Sequence, residues 1–299
     1  MASYLYNHLE VLLISDDDSS IQNKNGNNSS KLIQATMDST YNLFIISETN
    51  LESAFTYKGR GCELSELFLI SNSLYTFCDK TGIMFEIVNK QLSPVQIFTE
   101  GENNPTPMKI EWVARKRSEL YLGSHGTPAG GREIVAVLSL IDKFIKYETF
   151  EFHYEKMRQI AGIRNGNGYI TFETAIFNNI RDEWLFIPRK ISYEPFDAIK
   201  DETIGSTKIF RCSHDFSNIE LISIGREEDL TELDKHTGYS SAKLIPGSPR
   251  GEIFAIKTIE KDGQLRSYYH VFDRNGTIIK PLTLLSNKHK FEGVEFVRI

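Results

Sequence analysis

One short pattern recurs five times along this chain, and it limits the folds open to the chain more than any other feature does. A Ser or Glu is followed by apolar residues at the second or fourth position after it, in frames that begin at Ser65, Glu111, Glu173, Ser240 and Glu292. In the first two frames, Leu74-Tyr75 and Leu120-Tyr121 also fall at the same offset. The intervals are near or somewhat above the ~40 to 50 residues of one propeller blade with its loops. Five repeats therefore predict five blades.

The local signals along the chain are those of an all-β protein. Runs of β-branched and aromatic residues, such as Ile83–Val88 and Ile134–Leu140, end at Gly, Asn, Asp or Pro. Turn signals such as Asp79–Gly82 join them. One helix is predicted, at His153–Ile163, where apolar residues recur at helical spacing. We see no interdomain linker, so residues 1–299 are predicted to form a single five-bladed β-propeller, with a flexible polar loop at 19–31.

The five frame starts also predict a cation site. The innermost strand of a propeller blade begins beside the central channel, so these five side chains would converge there. Three of them are carboxylates, which would repel one another strongly unless a cation lay between them. All the ligands are oxygen atoms, which favours a hard cation, and a roomy irregular ring favours Ca²⁺ over octahedral Mg²⁺. The alternative is that these residues are solvated starts of strands.

Charge and composition exclude several classes of function. The formal net charge of −6 argues against non-specific nucleic-acid binding. No apolar run approaches the roughly eighteen residues that cross a bilayer. Three cysteines are too few for a zinc cluster or a disulfide scaffold, although a Cys62–Cys78 bridge stays open. No signal-like segment follows residues 1–7, so we expect a secreted or lumenal protein if a signal or anchor has been removed, and a cytoplasmic one otherwise.

Several short motifs point to a known family. They are Ser15-Asp16-Asp17-Asp18-Ser19, Lys58-Gly59-Arg60-Gly61 with Glu63-Leu64-Ser65, Asp79-Lys80-Thr81-Gly82, Glu111-Trp112, Ala161-Gly162-Ile163, Phe186-Ile187-Pro188-Arg189-Lys190, Gly238-Tyr239-Ser240-Ser241 and Phe291-Glu292-Gly293-Val294-Glu295-Phe296. In content and order, from Leu9 to Val297, the chain resembles the soluble calcium-activated nucleotidases, or apyrases of the vertebrate and blood-feeding-insect type. The resemblance implies a five-bladed propeller with one calcium in its central tunnel, which hydrolyses nucleoside di- and triphosphates and releases phosphate.

The resemblance also implies roles for individual residues. The five frame starts would be the calcium ligands. Asp18, together with Asp16, follows a buried strand and would orient or deprotonate the attacking water. Arg60 and Arg189 would hold phosphate oxygens as charge shifts toward the leaving group. Further substrate-binding candidates at the same electropositive rim are Lys80, Asp79 and Lys243.

Two departures from the family pattern bear on specificity. Asp17 stands where the family usually has an apolar residue, and Lys80 replaces a typical arginine, whose bidentate fork a lysine cannot reproduce. Two other functions stay open at this point: a calcium-stabilised propeller that serves as a non-catalytic binding scaffold, and a propeller hydrolase acting on lactones or esters. The sequence leaves open the base preference, the choice between di- and triphosphates, any direct contact of calcium with phosphate, and the oligomeric state.

Overall fold

The computed structural model describes residues 8–16, 28–53, 55, 62–127, 132–163, 167–248, 250–261 and 264–297. Within these residues the chain is almost entirely β-structure. The first eleven strands are β1 (Leu9–Asp16), β2 (Asn28–Met37), β3 (Leu43–Ser53), β4 (Leu64–Ile70), β5 (Ser73–Cys78), β6 (Ile83–Val88), β7 (Gln91–Ile97), β8 (Trp112–Lys116), β9 (Glu119–Gly123), β10 (Ile134–Ser139) and β11 (Ile145–Thr149). The predicted all-β class is confirmed.

Three short helices interrupt the second half of the described chain. They are α1 (Glu151–Ile160), α2 (Ala198–Asp201) and α3 (Glu232–His236). The strands of this half are β12 (Tyr169–Asn178), β13 (Glu183–Ser192), β14 (Lys208–Ser213), β15 (Ile219–Ser223), β16 (Gly238–Leu244), β17 (Glu252–Lys261), β18 (Gln264–Asp273), β19 (Ile278–Ser286) and β20 (Lys290–Val297). The first helix confirms the one predicted from the sequence, with a start two residues earlier. No helix in the described ranges is long and apolar enough to span a bilayer.

The strands pair in consecutive antiparallel runs of four. Three sheets have the orders β8-β9-β10-β11, β12-β13-β14-β15 and β16-β17-β18-β19. A fourth sheet has eight strands in the order β20-β1-β2-β3-β7-β6-β5-β4. In the described residues, the two halves are joined by one strand pairing, the parallel pair β3–β7, which aligns Glu52 with Gln91. Antiparallel pairing of β1 with β20 joins the two ends of the described chain in one sheet.

The first strands of these runs form a closed circuit. Contacts pass from β4 to β8, β12, β16 and β20, and from β20 back to β4. We call these five strands the ring strands. The approach of β20 to β4 is tight, since a Cβ on Gly293 would lie 2.7 Å from the backbone nitrogen of Leu67. Four of the five repeated sequence frames begin inside a ring strand, and the fifth, at Glu111, begins immediately before β8.

The hydrophobic core is divided among the runs of strands. Five clusters of buried side chains lie in the described residues, one between each pair of neighbouring runs. The largest contains Trp112 and Phe186, whose rings meet edge to face with centroids 5.5 Å apart. Because every run is buried against two neighbours, no run has a core of its own.

Two expectations about the chain need comment. A polar loop was predicted at 19–31. Residues 19–27 lie outside the described residues, whereas residues 28–31 belong to β2, so the prediction was wrong for these four residues. They are held there by an antiparallel ladder with β3, in which Ser30 pairs with Leu51. Cys62 and Cys78 are buried free thiols, as is Cys212. The bridge left open between the first two is therefore not formed.

Candidate functional site

The five repeated residues occupy irregular points of the ring strands. On β16, Tyr239 pairs with Lys257 and Ser241 with Ile256, which leaves Ser240 outside the ladder. The same kind of register shift occurs at three other repeated residues: Ser65, Glu173 and Glu292. The fifth, Glu111, immediately precedes β8, and its N–H donates to the carbonyl of Gly123 at 2.8 Å. Bulges re-aim side chains, so one backbone device recurs around the ring strands.

The two repeated serines make equivalent hydrogen bonds. The Ser65 hydroxyl donates to the carbonyl oxygen of Ile110 at 2.6 Å, and the Ser240 hydroxyl donates to that of Phe291 at 2.7 Å. Each acceptor immediately precedes the repeated glutamate of the next run. A hydroxyl has one hydrogen and two lone pairs, so a serine that donates to the backbone keeps its lone pairs for another partner. Both serines are buried, which makes a cation a suitable partner.

Positively and negatively charged side chains alternate along a series of ion pairs that includes the repeated glutamates. We call this series the charge network, and its members are Glu63, Lys80, Asp79, Lys109, Glu111, His125, Glu173, Arg189, Glu292, Lys290 and Asp16. On one side, Lys80 Nζ lies 2.8 Å from Glu63 Oε2 and 2.9 Å from Asp79 Oδ2. Lys109 Nζ lies 2.7 Å from the same Asp79 oxygen and also pairs with Glu111 Oε1. This half of the network therefore leads from the turn after β5 into the first repeated glutamate.

The other half of the charge network is built on Arg189. Its Nη1 lies 2.6 Å from Glu173 Oε2 and 3.7 Å from Glu292 Oε1. Lys290 Nζ continues the series, 2.8 Å from Glu292 Oε1 and 3.1 Å from Asp16 Oδ2. Four of the predicted site residues are thereby joined through ion pairs with one another or with Lys290.

His125 connects the two halves. Its Nε2 lies 3.0 Å from Glu111 Oε1 and 3.3 Å from Glu173 Oε1, while its Nδ1 lies 3.2 Å from Arg132 Nη1. A guanidinium only donates hydrogen bonds, so Nδ1 is the acceptor and the ring proton resides on Nε2. His125 therefore donates toward both carboxylates and holds them side by side.

Burial and neighbouring charges set the protonation of the network. Burial opposes ionisation of Glu173, but Arg189 and the hydrogen bond from His125 outweigh it and hold the pKa of Glu173 well below its usual range. Burial lowers the pKa of His125 to about 4. Burial also opposes the charge of Lys290, yet Glu292 and Asp16 raise its pKa well above the usual value. At neutral pH the glutamate and the lysine are charged and the histidine is neutral.

The arrangement fits a divalent cation. Glu111, His125 and Glu173 each have an atom within 4.8 Å of the other two, and the two carboxylates of this group can face an ion while His125 orients them. The repeated positions supply three carboxylates and two hydroxyls whose hydrogens are already donated to backbone. Oxygen donors of this kind are the ligands that hard divalent cations take in proteins. The same carboxylates also form ion pairs with Lys and Arg side chains. Their negative charge is therefore balanced in part even without a bound ion.

Two cavities flank Arg189. One has a volume of about 520 Å³ and is also lined by Glu173 and His125. The other has a volume of about 340 Å³, and half of its lining residues are charged, among them Glu202 and Glu260. The guanidinium thus lies between the charge network and the two cavities beside it.

The structure brings most of the predicted site residues together, but not all. Asp16, Asp79, Lys80 and Arg189 belong to the charge network with the repeated glutamates. Asp18 and Arg60 lie outside the described residues. Lys243 lies elsewhere, with its Nζ 3.2 Å from Glu66 Oε2 and 4.5 Å from the centroid of the Phe68 ring.

Four members of the network were not identified as site residues from the sequence: Glu63, Lys109, His125 and Lys290. Lys109 and Lys290 each stand two residues before a repeated glutamate, as Glu63 stands two residues before Ser65. Side chains two residues apart in a strand share a face, so charge at this offset was a usable signal. His125 carries no such signal, because it follows β9 rather than a ring strand.

Comparison with known proteins places the chain in a family. The Apyrase family model matches residues 16–297. An apyrase of Cimex lectularius is 31% identical over 307 residues, covering 96% of this chain and 82% of that protein. Soluble calcium-activated nucleotidase 1 of Mus musculus is 32% identical over 257 residues, covering 83% of this chain and 62% of that protein. The chain therefore belongs to the Apyrase family.

Proposed function

We propose that this protein is a calcium-dependent nucleotide phosphohydrolase that removes the terminal phosphate of nucleoside diphosphates and of triphosphates. The observation that carries the proposal is the charge network, in which Arg189 and Lys290 lie among the carboxylates of the cation site. Such a site offers a phosphate both a metal and organic cations within a few ångströms. Family membership supports the same activity, and the similarity to a calcium-activated nucleotidase of Mus musculus supports calcium.

The architecture that we propose is a single five-bladed propeller. Each run of four strands would be one blade, with β20, β1, β2 and β3 forming the blade that closes the ring. This proposal is supported by the closed circuit of contacts among the ring strands and by the five hydrophobic clusters between neighbouring runs. A closed ring places the starts of its innermost strands around one channel.

In the proposed enzyme the repeated residues hold Ca²⁺. They are Ser65, Glu111, Glu173, Ser240 and Glu292. When bound, Ca²⁺ supplies positive charge that offsets the three carboxylates and attracts the phosphate chain. His125 contacts both Glu111 and Glu173 and keeps them adjacent. Lys290 pairs with both Glu292 and Asp16 and so holds these two carboxylates near each other.

Hydrolysis would proceed by attack of water on the terminal phosphorus. Asp18, two residues after Asp16 in the sequence, would accept the proton of the water as the water oxygen bonds to phosphorus. The bridging P–O bond breaks and leaves a nucleoside monophosphate, or a diphosphate from a triphosphate, together with inorganic phosphate. Arg60 and Arg189 would stabilise the charge that develops on the oxygens. The proposed supporting contacts to substrate come from Lys80 and Asp79. Lys243 is not included, because it lies elsewhere, against Glu66 and Phe68.

Arg189 is suited to this role by the contacts that it makes. Both of its ion pairs use Nη1, and a guanidinium carries five N–H donors. The remaining N–H groups can donate to phosphate oxygens while Nη1 stays with Glu173. Glu173 and Glu292 raise the pKa of Arg189 against the effect of burial, so the donor stays charged.

The test is a panel of GDP, UDP and ADP with their triphosphates, assayed for phosphate release with Ca²⁺, with Mg²⁺ and with chelator alone. We expect release with Ca²⁺ and none with chelator. Glu292→Gln should weaken calcium binding in calorimetry and lower Tm, whereas Glu194→Gln, in a surface ion pair with Lys200, should change neither. Release that is indifferent to the chelator would contradict the calcium assignment. No release from any nucleotide would contradict hydrolysis and favour a binding scaffold.

A further inference from the structure

The larger cavity beside Arg189 combines two chemically different kinds of surface. Its total volume is about 520 Å³, within the range of ~300 to 1,000 Å³ that small-molecule pockets occupy. Charged side chains line it, among them Glu173 and Arg189 of the charge network, and Tyr169, Pro195 and Phe196 contribute apolar surface. A ligand that fills this cavity therefore meets both charged groups and flat hydrocarbon.

The aromatic surface of the cavity comes from Tyr169, whose hydroxyl is hydrogen-bonded, and from Phe196, whose ring is largely exposed. Tyr169 donates from its hydroxyl to Asp201 Oδ1 at 2.5 Å, and Lys190 donates to the Asp201 carbonyl at 2.8 Å. The centroid of the Phe196 ring lies 5.8 Å from that of Tyr169, with 61° between the planes. Phe196 is 68% exposed, so most of its ring can still contact a ligand.

We propose that this cavity binds the nucleobase of the substrate, with Tyr169 and Phe196 as its aromatic walls; the assignment rests on the proposed nucleotide hydrolysis. A nucleotide combines the same two features, a planar heteroaromatic ring and anionic phosphates. Arg189 lines the cavity and belongs to the charge network, so it links the proposed base pocket to the proposed phosphate site.

The smaller cavity is the poorer candidate for the base. It shares Arg189, Lys190 and Asp201 with the larger one, but its remaining lining includes Glu260 and His236 rather than the aromatic pair. Stacking on aromatic side chains contributes to base binding irrespective of base identity, because every base has a π-face. The proposed pocket consequently predicts binding of purine and pyrimidine nucleotides alike.

The experiment measures equilibrium binding, which needs no turnover. Calorimetry with Ca²⁺ present would compare the α,β-methylene analogue of GDP with inorganic diphosphate, which lacks a base, on the wild-type protein and on Phe196→Ala, Phe196→Trp and Phe152→Ala. Phe152 is a matched control, since it is 67% exposed on α1. We expect Phe196→Ala to weaken binding of the analogue roughly tenfold or more and to leave diphosphate binding unchanged. Phe196→Trp should retain binding of the analogue, and Phe152→Ala should affect neither ligand.

Two outcomes would overturn the nucleobase assignment. One is unchanged binding of the analogue by Phe196→Ala, and the other is an equal loss for both ligands. Failure of the hydrolase proposal would look different, because a wild-type protein that binds the analogue through Phe196 but releases no phosphate from GDP keeps the base pocket and loses only the catalytic assignment.

Discussion

Ser65 and Ser240, on different runs of strands, make the same hydrogen bond: each hydroxyl donates to the carbonyl of the residue that immediately precedes a repeated glutamate. Each serine thereby ties its own ring strand to the start of another. The bond also directs the free lone pairs of the hydroxyl away from that carbonyl. The serines are therefore expected to act both as neutral ligands and as links between neighbouring runs.

Replacing either serine by alanine should weaken calcium binding and stability together. Ser65→Ala and Ser240→Ala each leave a buried carbonyl without its donor, which costs about 1 kcal/mol of unfolding free energy, and each removes an oxygen ligand. Ser192→Ala is the control, because the Ser192 hydroxyl donates to the Glu194 carbonyl at 2.9 Å. Denaturation in chelator should show similar losses of unfolding free energy for all three variants. In calcium titrations, Ser65→Ala and Ser240→Ala should have weaker affinity, whereas Ser192→Ala should bind calcium like the wild type. Wild-type calcium affinity in both ring variants would contradict a ligand role.

His125 should act on the cation through the two glutamates that it joins. His125→Phe removes the donor shared by Glu111 and Glu173, and loss of such an orienting partner typically lowers metal affinity about 10- to 100-fold. His125→Gln keeps an N–H donor and should retain part of the affinity. His153→Phe is the control, since His153 stacks on Phe216 with centroids 4.0 Å apart. Calorimetric titration with Ca²⁺ measures all three, and unchanged affinity in His125→Phe would refute the positioning role.

Asp16, the last residue of β1, and Asp18, two residues later in the sequence, should respond differently to substitution. Asp18→Asn is expected to abolish turnover with little change in Tm, as a general base would. Asp16 is buried and paired with Lys290, so Asp16→Asn should also lower stability by about 1 to 3 kcal/mol. Initial rates and thermal melts on both variants separate the roles. Full activity in Asp18→Asn would show that the base is misassigned.

Glu66 should make the protein less stable as the pH rises. Burial raises the pKa of Glu66 to about 7, above its value in the unfolded chain, so the folded state retains the proton longer. The contribution to stability is therefore present below about pH 4 and is lost as the pH rises toward 7, by up to about 3 kcal/mol. Glu295 shifts in the same direction through burial.

Urea unfolding between pH 5 and pH 8, in chelator, measures this loss. Glu66→Gln should flatten the dependence, with a residual slope from Glu295. Glu48→Gln serves as the control, because Glu48 pairs with Lys31 at the surface. An equal slope in the wild type and in Glu66→Gln would show that Glu66 does not titrate in this range.

The repeat was readable from the sequence because one backbone irregularity recurs with one class of side chain. A register shift recurs at Ser65, Glu173, Ser240 and Glu292, and each of these positions carries a serine or a glutamate, so the residue type repeats with the geometry. The start of β2 was predicted as loop because no local pattern marks it as a strand. Polar residues there are stabilised by pairing with β3, which is a nonlocal contact that composition does not reveal.

The charged partners of the repeated residues were harder to predict than the repeat itself. The sequence marks Lys109 and Lys290 only by their position two residues before a repeated glutamate, and it does not show that carboxylates from other runs surround them. Lys243 was predicted at the substrate rim, yet its recorded contacts are with Glu66 and Phe68. It follows Ser240 at an odd offset, as Glu66 follows Ser65, and alternation along a strand turns odd positions to the other face.

The ion pair between Lys290 and Asp16 joins residues that are 274 apart in sequence. During synthesis, β1 emerges long before β20, so Asp16 has no lysine from β20 to meet until nearly all of the described chain is available. Contacts between such distant segments form late and slowly in folding. A truncated or nicked product that lacks β20 also lacks Glu292, and it cannot assemble the full set of proposed ligands. Calcium affinity would thus report directly on whether a given molecule has been completed.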